Sequence, residues 1–516
     1  MSLPQFVFYT LGGAVCLMLF IAVTELLRPG YLPGTLLDGL SAVVNVYLKY
    51  QYPIKHRDGT RDLASVPYRW PNGQGDTGKF LFGAENSTRW EKEYGSVYRI
   101  WAGMKPEVVL TRHQQISAVF ADSDKHTKAP ANDSGAYMDR LLGQCVGLIS
   151  GADWRRVRSI VGAPFGYHAV VASSEQIERR VSGYLERLSR PGGRLAEHGV
   201  LHPAEDMKML PFWAVCDMFY GPLPPRLVQE LVELAPLREK VFRYVIYGGL
   251  TRFSWARWLP TEANRELRMF QKRWSAFNDE AHAHAVNQGH LSAPISAYYD
   301  AVQSGEITKD QLLQTLDESL YANLDVTTGG LSWNLVFLAA NPATQSRLRA
   351  EAQQVLQGGN GSVKAYVSSD STYLAACVLE SSRLKPLAAF SVPQAAPTAR
   401  EVDGYVIPAT TPFIVDSYAL NIRSETWAPD NTIHRPDRFL SHRGAGMRYK
   451  FWRFGFGPRQ CMGKYMADLI IRHTILRIVL EYELGWLDKE VWSHNKESWI
   501  THPDFELRCT KREMTT

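Results

Sequence analysis

The sequence predicts a mainly α-helical protein with small β-sheets, preceded by one N-terminal transmembrane helix. Three observations lead to this prediction. Helical patterns dominate from about residue 150 to residue 385. A pair of strands is indicated at residues 96–101 and 107–110, which are rich in β-branched and aromatic side chains. Residues 6–27 are apolar and almost uncharged.

The N-terminal segment has the composition of a membrane anchor. Its first charge is Glu25, and about 18 nearly uncharged residues are enough to cross roughly 30 Å of hydrocarbon. Basic residues follow the segment and none precedes it, so the positive-inside rule places the rest of the chain in the cytosol. A cleaved signal peptide is the alternative, but such peptides carry a basic region before the apolar one.

A second apolar stretch, residues 35–54, is interrupted by Asp38, Asn45 and Lys49. We interpret it as a helix that lies in the membrane interface, and the alternative is a first buried helix of the main body. The predicted organisation is an anchor, a linker or interfacial segment, and one catalytic domain, at residues 1–28, 29–60 and 61–516.

Charge and cysteine usage exclude several classes of protein. The net charge is +5, from 57 basic and 52 acidic residues, which is too small to indicate nucleic-acid binding. Such a bias is compatible with an anionic membrane surface, an acidic protein partner or an ordinary soluble surface. The six cysteines include no CxxC pair, which argues against a zinc or iron–sulfur site. Their sparse distribution is typical of a domain in a reducing compartment.

The longest predicted helix carries a polar centre. Thr308 and Gln311 form a capping box at its start, and Asn341-Pro342 ends it. About 33 residues at 1.5 Å each give a length of roughly 50 Å. Asp325 and Thr327 lie near its middle, where polar groups are costly if the helix is buried. A polar patch on a partly exposed helix is the alternative.

A single cysteine stands in a glycine-rich loop near the C-terminus. A helical run at 464–480 follows Cys461, so the helix dipole and nearby N–H groups favour a thiolate. A buried structural cysteine is the alternative, but it does not account for the surrounding residues. The loop consists of Phe454, Gly455, Phe456, Gly457, Pro458, Arg459, Gln460, Cys461, Met462 and Gly463.

This loop resembles the haem-binding signature of the cytochrome P-450 family, FxxGxRxCxG, at every fixed position. The resemblance implies a triangular helical prism around haem b (iron protoporphyrin IX), with Cys461 as the axial ligand of the iron. Electron donation from such a thiolate promotes O–O bond cleavage. The resemblance also implies that Arg459 pairs with a haem propionate. The other loop residues expected at the cofactor are Phe454, Gly455, Gly457 and Gly463.

Three further elements follow in the order of the family. Trp154 and Arg158 match its WxxxR element, which implies that they hold a propionate. Glu380 and Arg383 match the ExxR pair, and their spacing puts both charges on one face of a helix. Arg438 belongs to a segment that resembles the PxRF element, which implies a buried structural triad with that pair.

The central helix departs from the family pattern, (A/G)Gx(D/E)T(T/S), at two positions. Asn323 replaces the usual glycine, and Val326 replaces the threonine whose hydroxyl assists proton delivery. Thr327 could substitute, the substrate could supply a hydroxyl or amine, or the reaction could need little proton delivery. We favour Asp325 and Thr327 as catalytic residues, assisted by substrate or water. Asn323 is expected to contact a polar substrate or to form a hydrogen bond within the helix.

The resemblance implies a monooxygenase that hydroxylates, epoxidises or oxidatively couples a medium-sized, mostly apolar molecule. The chain is similar to fungal members that act on secondary metabolites. NADPH-cytochrome reductase would supply the electrons, with cytochrome b5 as a further partner. No GxGxxG lies in a strand–helix setting, so the chain is not expected to bind nicotinamide or flavin itself. The expected location is the endoplasmic reticulum membrane, in contact with lipid and with the catalytic domain in the cytosol.

Positions relative to the motifs predict two surfaces. The substrate pocket is expected to be lined by residues 133–145, 318–327 and 387–392 and by the turn near Trp499. The docking face for an acidic reductase is expected to use Arg155, Arg453 and Lys464.

Two other classes of function remain open. A haem-thiolate isomerase or dehydratase would use a preformed peroxide and no reductase. Val326 is compatible with that class, whereas the retained Asp325 argues against it. A haem-based sensor or carrier would need a partner domain, for which the chain has no spare length.

Overall fold

The computed structural model describes residues 3–128, 134–290, 292–357, 363–441, 444–490 and 492–513; for residues 3–11 and 444–445 it describes the backbone alone. The predicted class is confirmed, since the described chain is mainly helical with small sheets. The α-helices are α1 (Leu3–Leu27), α2 (Gly34–Gln51), α3 (Gly83–Tyr94), α4 (His113–Phe120), α5 (Ala136–Leu142), α6 (Gly151–Val161), α7 (Tyr167–Ala172), α8 (Ser174–Leu188), α9 (Arg194–His198), α10 (Met209–Tyr220), α11 (Pro225–Tyr247), α12 (Glu262–Asn287), α13 (Pro294–Gln303), α14 (Lys309–Ala340), α15 (Pro342–Gln357), α16 (Val363–Ser368), α17 (Tyr373–Leu384), α18 (Arg438–Ser441) and α19 (Lys464–Glu481).

The strands in the described part of the chain are short and form three sheets. Their bounds are β1 (Lys55–His56), β2 (Val97–Ala102), β3 (Lys105–Leu110), β4 (Thr127–Lys128), β5 (Val200–Leu201), β6 (Gln394–Ala395), β7 (Arg400–Val402), β8 (Tyr405–Ile407), β9 (Pro412–Val415), β10 (Tyr482–Trp486) and β11 (Leu507–Lys511). The sheet orders are β2-β3-β9-β6-β4, β1-β8-β7 and β10-β11-β5. The predicted strand pair is confirmed as the antiparallel ladder of β2 and β3, in which Val97 pairs with Leu110.

The chain forms two compact units. The first comprises residues 1–143, 239–269 and 390–416 and contains the five-stranded sheet and the sheet of β1, β8 and β7. Its core includes both faces of β2 and β3, because Tyr98, Ile100, Val108 and Val109 are all fully buried. Both strands also bury one charged residue each, Arg99 in β2 and Glu107 in β3, so neither is a continuous apolar run.

The second unit comprises residues 144–238, 270–389 and 417–516, and α14 runs through it. This helix packs against α10, α13, α15, α17, α19 and β10. Its predicted ends are confirmed: the Thr308 hydroxyl accepts a hydrogen bond from Gln311 N (3.1 Å), and α15 begins at Pro342 directly after Asn341. Leu320, Leu324, Thr327 and Thr328 of α14 are buried and Asp325 is half-buried, so most of its polar centre lies inside the protein.

The predicted anchor segment lies in α1, and residues 35–54 largely form α2. The C-terminal half of α1 packs against α2 through Ile21, Ala22 and Leu40. No helix in the described part of the chain is long and apolar enough to cross a membrane, so the predicted transmembrane span is not found there. The side chains of residues 6–11, which belong to the predicted span, lie outside the described residues.

Candidate functional site

The loop before α19 is closed by its own backbone. Gly455 (φ +83°) and Gly457 (φ +66°) adopt left-handed conformations that favour glycine. These turns bring Cys461 N–H to the carbonyl of Phe454, to which it donates a hydrogen bond of 2.8 Å. Cys461 is thereby placed three residues before α19, with Gly463 as the residue that caps the helix.

The Cys461 side chain is accessible, yet the surrounding protein desolvates its thiol and raises the pKa. A side chain can be both accessible and desolvated when it faces an internal space rather than the outer surface. The Gly463 N–H, Arg158 and Lys464 act in the opposite direction and lower the pKa of the thiol. A thiol in such a position binds a metal ion by exchanging its proton for the metal, so the cationic groups favour ligation.

Two guanidinium groups lie at the same loop: Arg459 belongs to it and Arg158 contacts it. Arg459 lies over the ring of Trp154, 4.5 Å from its centroid, and donates to the carbonyl of Ile149 (2.9 Å). Arg158 donates to the carbonyl of Gln460 (3.3 Å). Burial lowers the pKa of Arg158, and it lowers that of Arg459 to about 10. Neither group forms an ion pair within the described residues. Two desolvated cations beside an accessible thiol fit a cofactor that carries carboxylates and a metal.

A buried ionic cluster lies elsewhere in the same unit. The Glu380 carboxylate accepts two hydrogen bonds from Arg383, each of 2.8 Å, and one from Arg438 Nε of 2.9 Å. Glu380 and Arg383 are completely buried and Arg438 is nearly so. Arg383 also donates to the carbonyls of Asn421 (3.0 Å) and Asn431 (2.7 Å). The structure therefore brings the three predicted triad residues together as a tie between α17 and the segment around Arg438.

In the centre of α14, Asp325 is half-buried and contacts the C-terminal loop. Trp499 Nε1 donates to its Oδ2 (2.7 Å), and His502 Nε2 lies 3.9 Å from its Oδ1. Burial raises the pKa of the Asp325 carboxyl, and the Trp499 hydrogen bond lowers it again in part. The sequence placed the turn near Trp499 close to the pocket, but it did not identify His502 or the bond to Asp325.

Thr327 and Asn323 bind each other rather than the acid. The Thr327 hydroxyl donates to Asn323 Oδ1 (2.5 Å), and the Asn323 amide donates to the carbonyl of Ser319. The Thr328 hydroxyl donates to the carbonyl of Asn323 (3.1 Å). Of the two expectations for Asn323, the hydrogen bond within the helix is the one seen here. The structure does not bring the predicted catalytic hydroxyl of Thr327 to Asp325.

A second acid of α14 was missed by the sequence analysis, which placed the helix segment in the pocket without assigning its first residue. Glu318 accepts a hydrogen bond from Gly147 N (3.0 Å), and its negative charge raises the pKa of Cys461. A Cβ atom at Gly147 would lie 1.8 Å from Glu318 Oε1, so only glycine permits this approach. The charge of Glu318 also acts on Arg158 and Arg459, which places it beside the same internal space.

The three predicted docking cations differ in their surroundings. Arg155 is exposed on α6. Lys464 lies over the ring of Tyr465 (4.5 Å to its centroid). Arg453 forms an ion pair with Asp468 and donates to the Ser382 hydroxyl (3.0 Å), so its charge is already compensated.

Comparisons with known proteins show the family to which the chain belongs. The family model described as cytochrome P-450 matches residues 79–504. The chain belongs to the cytochrome P-450 family. It is 50% identical over 473 residues to cytochrome P-450 monooxygenase asaD of Aspergillus flavus, covering 92% of this chain and 91% of that one. It is also 50% identical over 471 residues to cytochrome P-450 monooxygenase aclC of Aspergillus oryzae, covering 90% and 95%.

A solved zebrafish cytochrome P-450, described as a structure with progesterone, shares the fold. The TM-score is 0.66 at 16% identity, and the match covers 83% of this chain and 99% of that one. This cytochrome P-450 is thus a monooxygenase of the oxidoreductase class, and membership implies haem iron as its cofactor. Of the residues predicted to contact this cofactor, Cys461 would hold the iron and Arg158, Arg459 and Trp154 would hold the propionates; these roles stay predictions.

Proposed function

We propose that this cytochrome P-450 acts on a medium-sized, mostly apolar secondary metabolite, either inserting one oxygen atom of O2 by hydroxylation or epoxidation or coupling the molecule oxidatively without inserting oxygen. The observation that supports this most directly is the Cys461 thiol, which faces an internal space beside two desolvated guanidiniums. Haem b would bind there, and when bound it supplies the oxygen chemistry. The protein supplies the ligand, the counter-ions and the proton path.

The electron source is an NADPH-cytochrome reductase, with cytochrome b5 as a second donor. Insertion of one oxygen atom consumes O2, two electrons and two protons and releases one water molecule, so an external reductant is required. The exposed Arg155 lies on α6, the helix that also carries Arg158. A cation there supports docking of an acidic partner close to the cofactor. Arg453 contributes less, because Asp468 neutralises it.

Asp325 is the residue that we assign to proton transfer. Burial raises the pKa of its carboxyl, so it holds a proton more readily than an exposed acid does. Val326 has no hydroxyl, and the hydroxyl of Thr327 is bound to Asn323. A water molecule or a substrate hydroxyl therefore completes the path, and the catalytic role of Thr327 stays a prediction.

The surroundings of the acid favour an apolar substrate. A Cβ atom at Gly329, one helical turn beyond Asp325, would lie 2.9 Å from Ile500 Cγ2 and 3.2 Å from Leu387 Cδ2. These side chains present apolar surface beside the acid, which is typical of pockets for apolar ligands with few polar contacts.

The proposed location is the endoplasmic reticulum membrane, with the catalytic domain in the cytosol. Helix α2 exposes an apolar stripe at helical spacing, formed by Val43, Val46, Tyr47 and Tyr50, and α1 exposes further apolar side chains. Contiguous exposed apolar surface of this kind favours a lipid contact. Replacement of Val46 and Tyr50 by serine is expected to reduce co-flotation with phosphatidylcholine vesicles, whereas unchanged flotation would contradict a role for α2.

The function is tested with the full chain, reductase, NADPH and ¹⁸O2. Candidate substrates are first selected from apolar secondary metabolites by a substrate-induced change in the spin state of the haem. We expect one ¹⁸O atom in the product, or a coupled product, only when reductase and NADPH are both present. Conversion by hydrogen peroxide alone, with no gain from reductase, would instead favour the peroxide-dependent isomerase or dehydratase. Cys461→Ser serves as the inactive control.

A further inference from the structure

The loop at residues 499–502 is held firmly against α14. Thr501 donates to the carbonyl of Leu387 through both its N–H (3.1 Å) and its hydroxyl (3.2 Å). The indole of Trp333 donates to the Thr501 carbonyl (2.9 Å). One residue further, the carbonyl of His502 accepts from Asn495 N (2.9 Å). These bonds fix the backbone at residues 501 and 502, next to the side chains that face Asp325.

The two carboxylate oxygens of Asp325 have different neighbours. Oδ2 accepts the 2.7 Å hydrogen bond from the Trp499 indole, which does not give up its proton. Oδ1 faces His502 Nε2 at 3.9 Å. The other charges that act on this carboxyl are Lys208 and Arg238, and Arg238 is bonded to Asp317 at 2.6 Å. Of these four neighbours, His502 is the one whose ordinary charge change falls between about pH 5 and pH 8.

We propose that His502 is the proton donor that recharges Asp325, in place of the hydroxyl that this chain lacks at position 326. The proposal deepens the proposed function and rests on it. A proton leaves Nε2 of the imidazolium and binds Oδ1 of the carboxylate, so one N–H bond breaks, one O–H bond forms and no electrons move. Trp499 is the positioning residue, because its bond to Oδ2 turns Oδ1 towards the imidazole.

His502 Nε2 and Asp325 Oδ1 are too far apart for direct proton transfer. A separation of 3.9 Å exceeds a hydrogen bond, so a small rotation of the imidazole or one water molecule joins the two groups. The imidazole is mostly shielded from solvent, with an exposed fraction of 8% for the residue. A shielded imidazole has little contact with bulk water, which favours transfer of its proton to Asp325.

The first test probes protonation and needs neither substrate nor reductase. Carbon monoxide is bound to the reduced holoenzyme, and the infrared C–O stretch is followed from about pH 5 to pH 8. The wild type is expected to show a pH-dependent step, because the charge of the pair changes near the bound probe. His502→Gln and Asp325→Asn should each abolish the step. His202→Gln is the matched control, because His202 Nε2 also lies 3.9 Å from a carboxylate, that of Asp504.

The second test measures how oxygen is used during turnover. Product formation and release of H2O2 both consume two electrons and two protons per O2. A defect in proton delivery therefore changes the ratio of product to H2O2 and not the NADPH consumed per O2. His502→Gln is expected to lower product per NADPH by about tenfold or more, with a matching rise in H2O2. His202→Gln should leave this ratio unchanged.

The outcomes separate the two proposals. A wild type without a pH-dependent C–O step, or a His502→Gln variant that keeps both the step and the ratio, would overturn the role of His502. A wild type that shows the step but oxidises no NADPH with reductase would instead contradict the monooxygenase function.

Discussion

At the scale of single residues, Arg158 and Arg459 carry positive charge in a setting that solvates it poorly. Burial lowers the pKa of both guanidiniums, and their hydrogen-bond acceptors are the carbonyls of Gln460 and Ile149 rather than carboxylates. Free energy is gained when anionic groups bind beside such cations. Their placement in and beside the Cys461 loop therefore favours a cofactor with acidic groups at its edge.

Arg158→Gln is expected to weaken haem retention by about tenfold or more, since a charge-assisted hydrogen bond contributes roughly 1.5–3 kcal/mol. The measurement is the rate of haem transfer from the purified protein to apomyoglobin. Arg155→Gln is the control on the same helix, and it should transfer haem at the wild-type rate. Equal rates for the two variants would contradict the assignment of Arg158 to a propionate.

The position of Glu318 beside the cysteine loop could not be predicted from the sequence. The cysteine loop could be predicted because its glycines, arginine and cysteine are adjacent in the sequence. The contact between Glu318 and Gly147 joins positions 171 residues apart, and neither carries a local signal. A glycine required by the close approach of a distant side chain looks like any other loop glycine until the fold is known.

At the scale of elements, the ends of α14 could be predicted from the sequence, whereas its contacts with the C-terminal loop could not. Its ends follow from the capping box at Thr308 and from Pro342, which are local signals. The loop that packs along its centre comes from the C-terminal end of the chain, and no pattern in the sequence pairs Trp499 with Asp325. The packing role of Gly329 in its centre likewise depends on that loop.

Gly329 and Gly330 provide a test of that packing. A Cβ atom at Gly329 would lie 2.9 Å from Ile500 Cγ2, whereas one at Gly330 would lie 3.4 Å from Ile471 Cδ1. Gly329→Ala is expected to lower the free energy of unfolding by about 1–3 kcal/mol, because the loop must shift. Gly330→Ala should be neutral or stabilising, since alanine is favoured in helices. Equal thermal denaturation temperatures for both variants would contradict the packing account.

At the scale of the whole molecule, buried titratable groups link stability to pH. Burial lowers the pKa of His473 from its ordinary 6.5 to about 4, and its Nε2 lies 2.9 Å from the Ser174 hydroxyl. The unfolded chain therefore takes up a proton at a higher pH than the folded one. The stabilisation is complete above about pH 6.5 and is lost as the pH falls towards 4.

The His473 contribution corresponds to about 3 kcal/mol between these limits. We expect the free energy of unfolding of the wild type, from urea denaturation, to fall between pH 6.5 and pH 4 more steeply than that of His473→Gln. The comparison between the two proteins removes the contributions of all other groups. Parallel curves would show that His473 is not buried in its neutral form.

The central claim is that Cys461 binds haem iron as a thiolate, and the carbon monoxide difference spectrum of the reduced protein tests it most directly. The full chain is compared with Cys461→Ser and with Cys16→Ser, which replaces another exposed cysteine. We predict a Soret band at about 450 nm in the wild type and in Cys16→Ser, and its loss in Cys461→Ser. A band at about 420 nm in the folded wild type, or a band that survives in Cys461→Ser, would contradict the account.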